Sequence, residues 1–373
     1  MEKEQVIAYL FTKLREHQYA ALQYIPTRKS IFGLFKESQN LLNLFKKQRH
    51  LMFYFSAFPD FYLKRVLSSR PGLAFYYRFC FLNELVSKQN ILDKLGDDWL
   101  KDALRSKVLF EKDEKYGLTF SVLPVRQYLI LRDLHQSYKF HEYDDQKPVN
   151  RVYVGADSVK FVEYNQHYLN SRKYNHALEL GCGTGIQLIT IENLADKLTG
   201  IDINPRAVEF TELSAKLNGL HERVEAKQSD LFENITRKYD LILANPWFLD
   251  LEKGGLEEIP SIIEKLDQFM EVNGTFAIYF GSYVKDGIDQ ARTLLTRFAK
   301  ERHYDVTFFG LGRTIEPHFL DRYKKLNISH INSYYAKLTK GGSGTVTVHD
   351  PSALRKVRDA IYIPLQRLLS KLR

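Results

Sequence analysis

The sequence predicts an α/β fold on a doubly wound, mostly parallel sheet, preceded by a mainly helical domain with a winged-helix-like end. Three observations predict it. Strand-like and helix-like segments alternate from residue 151 to about 300, the first 105 residues carry apolar positions at helical spacing, and the polar stretch HEYDDQKPVN at 141–150 separates the two textures. Such alternation is the pattern of parallel strands joined by crossover helices. The expected organisation is a recognition domain at 1–140, a linker at 141–150 and a catalytic domain at 151–373.

The elements follow in order. Ile7, Leu10, Phe11 and Leu14 recur every three to four residues, and Leu41, Leu42, Leu44, Phe45, Leu51 and Phe53 continue in the same style. At 97–111, DDWLKDALRSKVLFE reads as a helix and a turn, and KYGLTFSVLPVRQYLILRD after it as a β-hairpin or short ribbon. Helices followed by a ribbon suggest a winged helix. Lys101, Arg105 and Lys107 would then face nucleic acid, although such modules also dock proteins or simply pack.

Beyond the linker, apolar runs stand at HALEL (176–180), LTGID (198–202), VEAKQSD (224–230), YDLILANP (239–246) and GTFAIYFGS (274–282). Helical stretches separate them, chiefly ENLADK, NPRAVEFTELSAKLNGL and LEEIPSIIEKLDQFM. The tail adds HYDVTFFGLG and HINSYYAKLTKGGSGTVTVHD, in which GGSG at 341–344 reads as a hairpin tip and not as a phosphate loop, because no Lys-Ser/Thr pair follows. A basic helix is expected over about 352–372. It carries Arg355, Lys356, Arg358, Arg367, Lys371 and Arg373, and Leu354, Val357, Ile361, Leu365, Leu368 and Leu372 would pack on the domain, with Pro364 bending it.

At 373 residues and 44% hydrophobic positions, two domains are expected. No run of 18 apolar residues occurs, and the acidic N-terminus MEKEQVIAYLFTKLREH lacks the core of a signal peptide, so no membrane is expected. Cys80 and Cys182 stand far apart, which fits a reducing cytoplasm and gives no metal-ligand cluster. Charge is divided unevenly. Residues 1–150 hold 24 Lys and Arg against 17 Asp and Glu, 151–290 hold 14 against 22, and 291–373 hold 16 against 6. An acidic centre between basic flanks suits a small cationic ligand in the middle and a polyanion gripped from outside.

The chemistry is concentrated in ELGCGTG, Glu179 to Gly185, which follows a strand-like run and opens a helix-like one. Its glycines let the backbone turn sharply and approach a ligand where a Cβ would intrude. The site would lie at the carboxyl ends of the strands. Gly181, Gly183 and Gly185 do not match the dinucleotide spacing G-x-G-x-x-G, since Ile186 fills the place of the third glycine. Asp202 ends the next strand and suits both hydroxyls of a ribose. Asp230 ends the third and suits an adenine amino group, while the Leu231 N–H reaches a ring nitrogen. Each acid alone is more often an ordinary helix N-cap; three strand-end acids in order, counting Glu179, read as a cofactor site.

The fourth strand ends in ANPWF, Ala244 to Phe248. An exocyclic amine or amide nitrogen is a poor nucleophile because its lone pair is delocalised. The Asn245 side-chain oxygen and the Pro246 carbonyl, accepting from its N–H groups, would turn the nitrogen toward sp³ geometry and aim the lone pair at an electrophilic methyl. Trp247 and Phe248 would stack on a planar acceptor. A plain Asn-Pro turn is the simpler reading of the same residues.

With these motifs in place, residues 150–290 resemble a class I S-adenosylmethionine (SAM) dependent methyltransferase with a Rossmann-like domain. The likeness is to the amino-methylating group with the signature Asn-Pro-Pro-Tyr/Phe. It implies that Gly181, Cys182, Gly183, Thr184 and Gly185 form the SAM loop above Glu179, that Asp202 with Ile203 lies at the ribose, and that Asp230 and Leu231 hold adenine. Tyr153 to Ser158 would cover the methionine end. It further implies SAM as methyl donor, S-adenosylhomocysteine as product, and no metal. Trp247 departs from the signature, which has proline there, so the acceptor is the open point. The favoured acceptor is a nucleobase in RNA; a protein glutamine or lysine, a small molecule, and a non-catalytic RNA-binding protein with a vestigial pocket are the alternatives.

Overall fold

The computed structural model describes residues 1–22, 67–70, 72–133, 151–246, 258–314 and 320–349. The expected helices at 41–53, the linker at 141–150, Trp247, Phe248 and the basic helix at 352–372 lie outside the described residues. The chain forms two compact units: Met1–Lys160 with Gly183–Thr190 and Asn204–Ala226, and Phe161–Cys182 with Ile191–Ile203 and Lys227–Arg373.

The first unit begins with α1 (Lys3–Glu16), which buries Val6, Ile7, Leu10, Phe11 and Leu14 along one stripe. A 3₁₀ turn (Tyr19–Leu22) and α2 (Leu73–Tyr76), running on into a π turn at Tyr77–Phe81, come next. Then β1 (Val86–Ser87), α3 (Lys88–Leu95) and α4 (Asp97–Arg105) lead to two hairpins, β2 (Leu109–Lys112) with β3 (Lys115–Leu118) and β4 (Ser121–Val125) with β5 (Tyr128–Arg132). β1 joins the first hairpin in an antiparallel sheet of order β1-β3-β2. Trp99 on α4, buried at 2% exposure, satisfies its indole by donating to the Val6 carbonyl at 3.0 Å, so an apolar body and a polar tip are both accommodated.

α5 (Ala156–Tyr168) leads to β6 (Tyr174–Leu180), α6 (Ile186–Thr190), β7 (Ala195–Asp202), α7 (Pro205–Leu217), β8 (Val224–Gln228) and β9 (Tyr239–Ala244). Asn204 caps α7 by accepting from the Arg206 N–H, and Pro205 stands at its start, where a missing N–H costs nothing. α8 (Glu258–Phe269), β10 (Met270–Lys285), β11 (Ile288–Asp289), α9 (Gln290–Glu301), β12 (Tyr304–Thr314), α10 (Leu320–Lys325), β13 (Ile328–Lys340) and β14 (Val346–His349) complete the described chain.

The second unit is built on one sheet of order β14-β12-β13-β10-β9-β6-β7-β8. β6 pairs in parallel with both β7 and β9, and β9 with β10. Alternate residues of these strands, Leu178, Leu180, Ile201, Ile242, Ala244, Phe276 and Ile278, share a core with Ile262 and Leu266 of α8 and Leu295 of α9. On the other face Tyr279 and Tyr335 meet Phe161 of α5 at 6.2 and 6.0 Å between ring centroids.

The sheet is mostly parallel, as expected, with β13 antiparallel between β10 and β12, a direction that strand composition does not encode. Two expectations need correction. ENLADK is not a helix; Ile191–Leu194 is a turn and Ala195 already opens β7, whose exposed first residues mimic a helix surface. GGSG is not a hairpin tip, because β14 pairs in parallel with β12 and not with β13. The Asp305 carboxylate fills this turn, accepting from the Ser343 and Thr345 N–H groups at 2.9 Å each.

Candidate functional site

Leu180 stands in register with Ile201 on one side and with Ala244 on the other. The next residues, Gly181, Asp202 and Asn245, therefore leave the sheet from one edge. Neighbouring strands lie about 4.8 Å apart, so Asp202 and Asn245 flank Gly181 across about 10 Å of backbone. This is the carboxyl edge at which chain order reverses, with β7 on one side of β6 and β9 on the other, where open α/β sheets place their ligands.

Gly181 has φ of +70°, and a Cβ built on it would meet no heavy atom within 4 Å. Open space thus lies over this part of the loop. Glu179 is buried at 2% exposure, in alternation with core residues Leu178 and Leu180, and a carboxylate buried there favours a cationic neighbour. The Cys182 N–H donates to the Ile201 carbonyl at 2.8 Å, which fixes the loop to the start of the β7 exit. Asp202 is partly buried, and its carbonyl accepts from Ser229 N–H at 3.0 Å; Ile203 is 65% exposed, unusual for so apolar a side chain.

Asp230 does not end β8, which stops at Gln228; it stands exposed in the turn that follows. Leu231 beside it has φ of +44°, a conformation costly for a residue with a Cβ. Ser229 holds it there by donating to the Leu231 carbonyl at 3.1 Å and accepting from Asn234 N–H at 3.0 Å. Asn245 is partly buried and Pro246 buried directly after β9.

The remaining loop residues belong to the first unit. Gly183 has φ of +55° and likewise open space where a Cβ would stand. Thr184 is 2% exposed, and its buried hydroxyl has no hydrogen-bond partner among the described residues. Gly185 is closed in: a Cβ would fall 2.8 Å from the Thr211 methyl of α7, whose hydroxyl donates to the Gly183 carbonyl at 3.3 Å. Within the second unit, the open face of Gly181, the buried acid Glu179 and the exposed Ile203 fit a small, partly cationic, partly apolar cofactor. Among the described residues no group of three His, Cys, Asp or Glu is arranged to hold a metal, and no helix is long and apolar enough to cross a membrane.

Sequence reasoning missed Thr211, Ser229 and Gln187, which support the loops from behind. Only contact reveals them: Gln187 donates to the Ser158 carbonyl at 2.8 Å, and nothing about a lone Gln on an apolar helix announces this.

Residues 166–307 match the methyltransferase small domain. A Methanocaldococcus jannaschii protein provisionally named a protein N5-glutamine methyltransferase is 35% identical over 130 residues, 35% of this chain and 55% of that protein. The ribosomal RNA small subunit methyltransferase C of Serratia proteamaculans is 24% identical over 193 residues, 50% of this chain and 54% of that protein. The ribosomal protein L11 methyltransferase of Oceanobacillus iheyensis is 39% identical over 69 residues, 18% of this chain and 22% of that protein. The chain thus spans about half or less of the length of these relatives. Residues 166–307 are thus similar to the methyltransferase small domain and to proteins named as methyltransferases.

Proposed function

We propose that the chain is a SAM-dependent N-methyltransferase whose acceptor is a planar amine or amide nitrogen, with a nucleobase of RNA as the favoured one. The observation that carries this reading is the row Asp202, Gly181, Asn245 at one sheet edge within the matched domain.

SAM, when bound, supplies an activated methyl group on a sulfonium. Glu179 would balance the cationic end from beneath the loop, and the open faces of Gly181 and Gly183 would let the backbone lie against it. The Thr184 hydroxyl offers an unused donor. Asp202 would accept from the ribose hydroxyls, Ile203 would cover the adenine face, and the Asp230 carboxylate and Leu231 N–H would read the adenine edge. Asn245 and the Pro246 carbonyl would accept from the acceptor N–H groups and direct its lone pair along the transfer axis. Their contribution is orientation, growing as the nitrogen pyramidalises. Trp247 and Phe248 are proposed to stack on the acceptor ring, and a base within a duplex would first have to be flipped out at roughly a few kcal/mol.

Residues 1–140 are proposed as a recognition domain joined through 141–150 to the catalytic part at 151–373, with β1-α3-α4-β2-β3 as a winged-helix-like module. The chain order of two helices followed by a hairpin, with β1 added to it, supports this. One observation favours protein as a second acceptor class. α4 carries Asp97, Asp98 and Asp102 against Lys101 and Arg105; Lys101 pairs with Asp97 and Arg105 with Asp102, so this helix does not offer a phosphate backbone a row of free cations. The similarity to a glutamine methyltransferase points the same way.

The test is incubation with methyl-labelled SAM and fractionated RNA, protein and metabolites of the host. Label on a base nitrogen of RNA is the expected outcome. Label on a protein side-chain amide or amine would select the second class, and label in neither fraction would overturn both.

A further inference from the structure

We infer that the N-terminal domain is a working part of the cofactor site, and that Asp133 is the positioning residue through which it acts. The inference rests on the SAM-dependent reading of the glycine loop and concerns only contacts within the first unit.

Asp133 closes β5 and is 8% exposed. One carboxylate oxygen accepts from Arg206 Nε at 2.7 Å and from its Nη2, and the other accepts from Val152 N–H at 2.9 Å. Its own N–H donates to the Val152 carbonyl at 2.8 Å. A single buried acid thus joins three pieces of chain: the end of the N-terminal hairpin, the segment at 151–155 and the first turn of α7. Arg206 is itself held over the Phe210 ring at 4.5 Å, and its N–H is capped by Asn204.

What α7 carries makes this more than a structural joint. Thr211, five residues past Arg206, supports the Gly183 carbonyl and lies where a Gly185 side chain would be, so the loop rests on α7. The segment begun at Val152 is fastened at its other end to α6 by Gln187. Asp133 therefore sets both the plate under the glycine loop and the segment expected to cover the methionine end. At the far end of α7 the same hairpin is tied again, with Leu129 N–H donating to Asn218 Oδ1 at 3.1 Å and Asn218 Nδ2 to the Leu129 carbonyl at 2.8 Å. That second fastening provides the control. It docks the same two elements but stands about 18 Å along the helix from Arg206, at ~1.5 Å per residue.

The experiment uses the full chain and titrates S-adenosylhomocysteine into the parent, Asp133→Asn, Arg206→Lys and Asn218→Ala by calorimetry, with thermal melts of each and steady-state KM for SAM. Asp133→Asn keeps the size of the side chain and an acceptor for Val152 but removes the charge that fixes Arg206. Asp133→Asn and Arg206→Lys are expected to weaken cofactor binding about tenfold and to raise KM for SAM with kcat little changed. Asn218→Ala is expected to lower the melting temperature but leave cofactor affinity within twofold. Combining the two pair variants should weaken binding no further than the stronger of them, because both break one interaction. If the parent binds the cofactor and the pair variants bind it equally well, or if Asn218→Ala weakens it as much as they do, the positioning role is overturned. If the parent binds none, the cofactor reading itself falls and the inference falls with it.

Discussion

Leu231 holds its left-handed backbone against a cost of order 1–3 kcal/mol, and the surrounding Ser229 and Asn234 hydrogen bonds are what maintain it. Such strain is informative beside Asp230, proposed with Leu231 to read the adenine edge, because it gives the Leu231 N–H a direction that a relaxed turn would not. Asp202 contributes in a simpler way. Its backbone carbonyl supports Ser229 whatever the side chain, so Asp202→Ala should leave the fold intact while removing the carboxylate proposed to accept from two ribose hydroxyls. A loss of about 1–3 kcal/mol in S-adenosylhomocysteine affinity is expected. Calorimetry beside circular dichroism checks it: parental affinity with an intact fold would remove Asp202 from the ribose. At this scale the sequence was readable where residue type does the chemistry. Gly181 and Gly183, with open faces, and Asp202, at the end of β7, could be placed from the sequence, whereas Asp230 lies in the turn past β8 and not at its end. Asp133 and Arg206 could not be placed, since they are 73 positions apart and either alone looks like an ordinary surface charge.

Among the elements, the buried parallel strands were legible because both faces are covered and their residues read as short apolar runs, as in Ala177 to Leu180 and Leu241 to Ala244. The direction of β13 was not. β13 satisfies its alternation equally well either way, and only the chain's route through α10 makes it antiparallel. The turn before β14 was misassigned for a related reason: Gly341 and Gly344 announce a turn, but its partner, Asp305, is 38 to 40 positions away. That carboxyl is held below the usual range, first by the Thr345 N–H and then by Ser343. A depressed folded value means that its stabilising contribution is complete above the unfolded value of about 3.9 and is lost as pH falls through the lower folded one. Hydrogen exchange should therefore show protection of the Ser343 and Thr345 amides that persists at pH 5 and disappears on acidification below that window. Asp305→Asn should exchange freely at both pH values. Equal protection in parent and variant would show that the turn is held by something else.

For the whole molecule, charge and catalysis are separable. Of the excess basic charge in residues 1–150, most lies in 23–66, where 8 Lys and Arg stand against 2 Asp and Glu; residues 351–373 add 6 against 1. Both stretches lie outside the described residues, so an RNA grip, if the acceptor is RNA, is to be sought there more than on α4. The catalytic claim is independent of that choice, because Asn245 would act on an amide or a base nitrogen alike. Asn245→Ala tests it most directly, by single-turnover methyl transfer to the labelled acceptor and S-adenosylhomocysteine titration on the same preparation. The account predicts unchanged cofactor affinity and a fall in transfer rate of about a hundredfold or more, the pattern of an interaction made chiefly in the transition state. Transfer at the parental rate by Asn245→Ala would contradict it and return Ala244 to Phe248 to the standing of a turn.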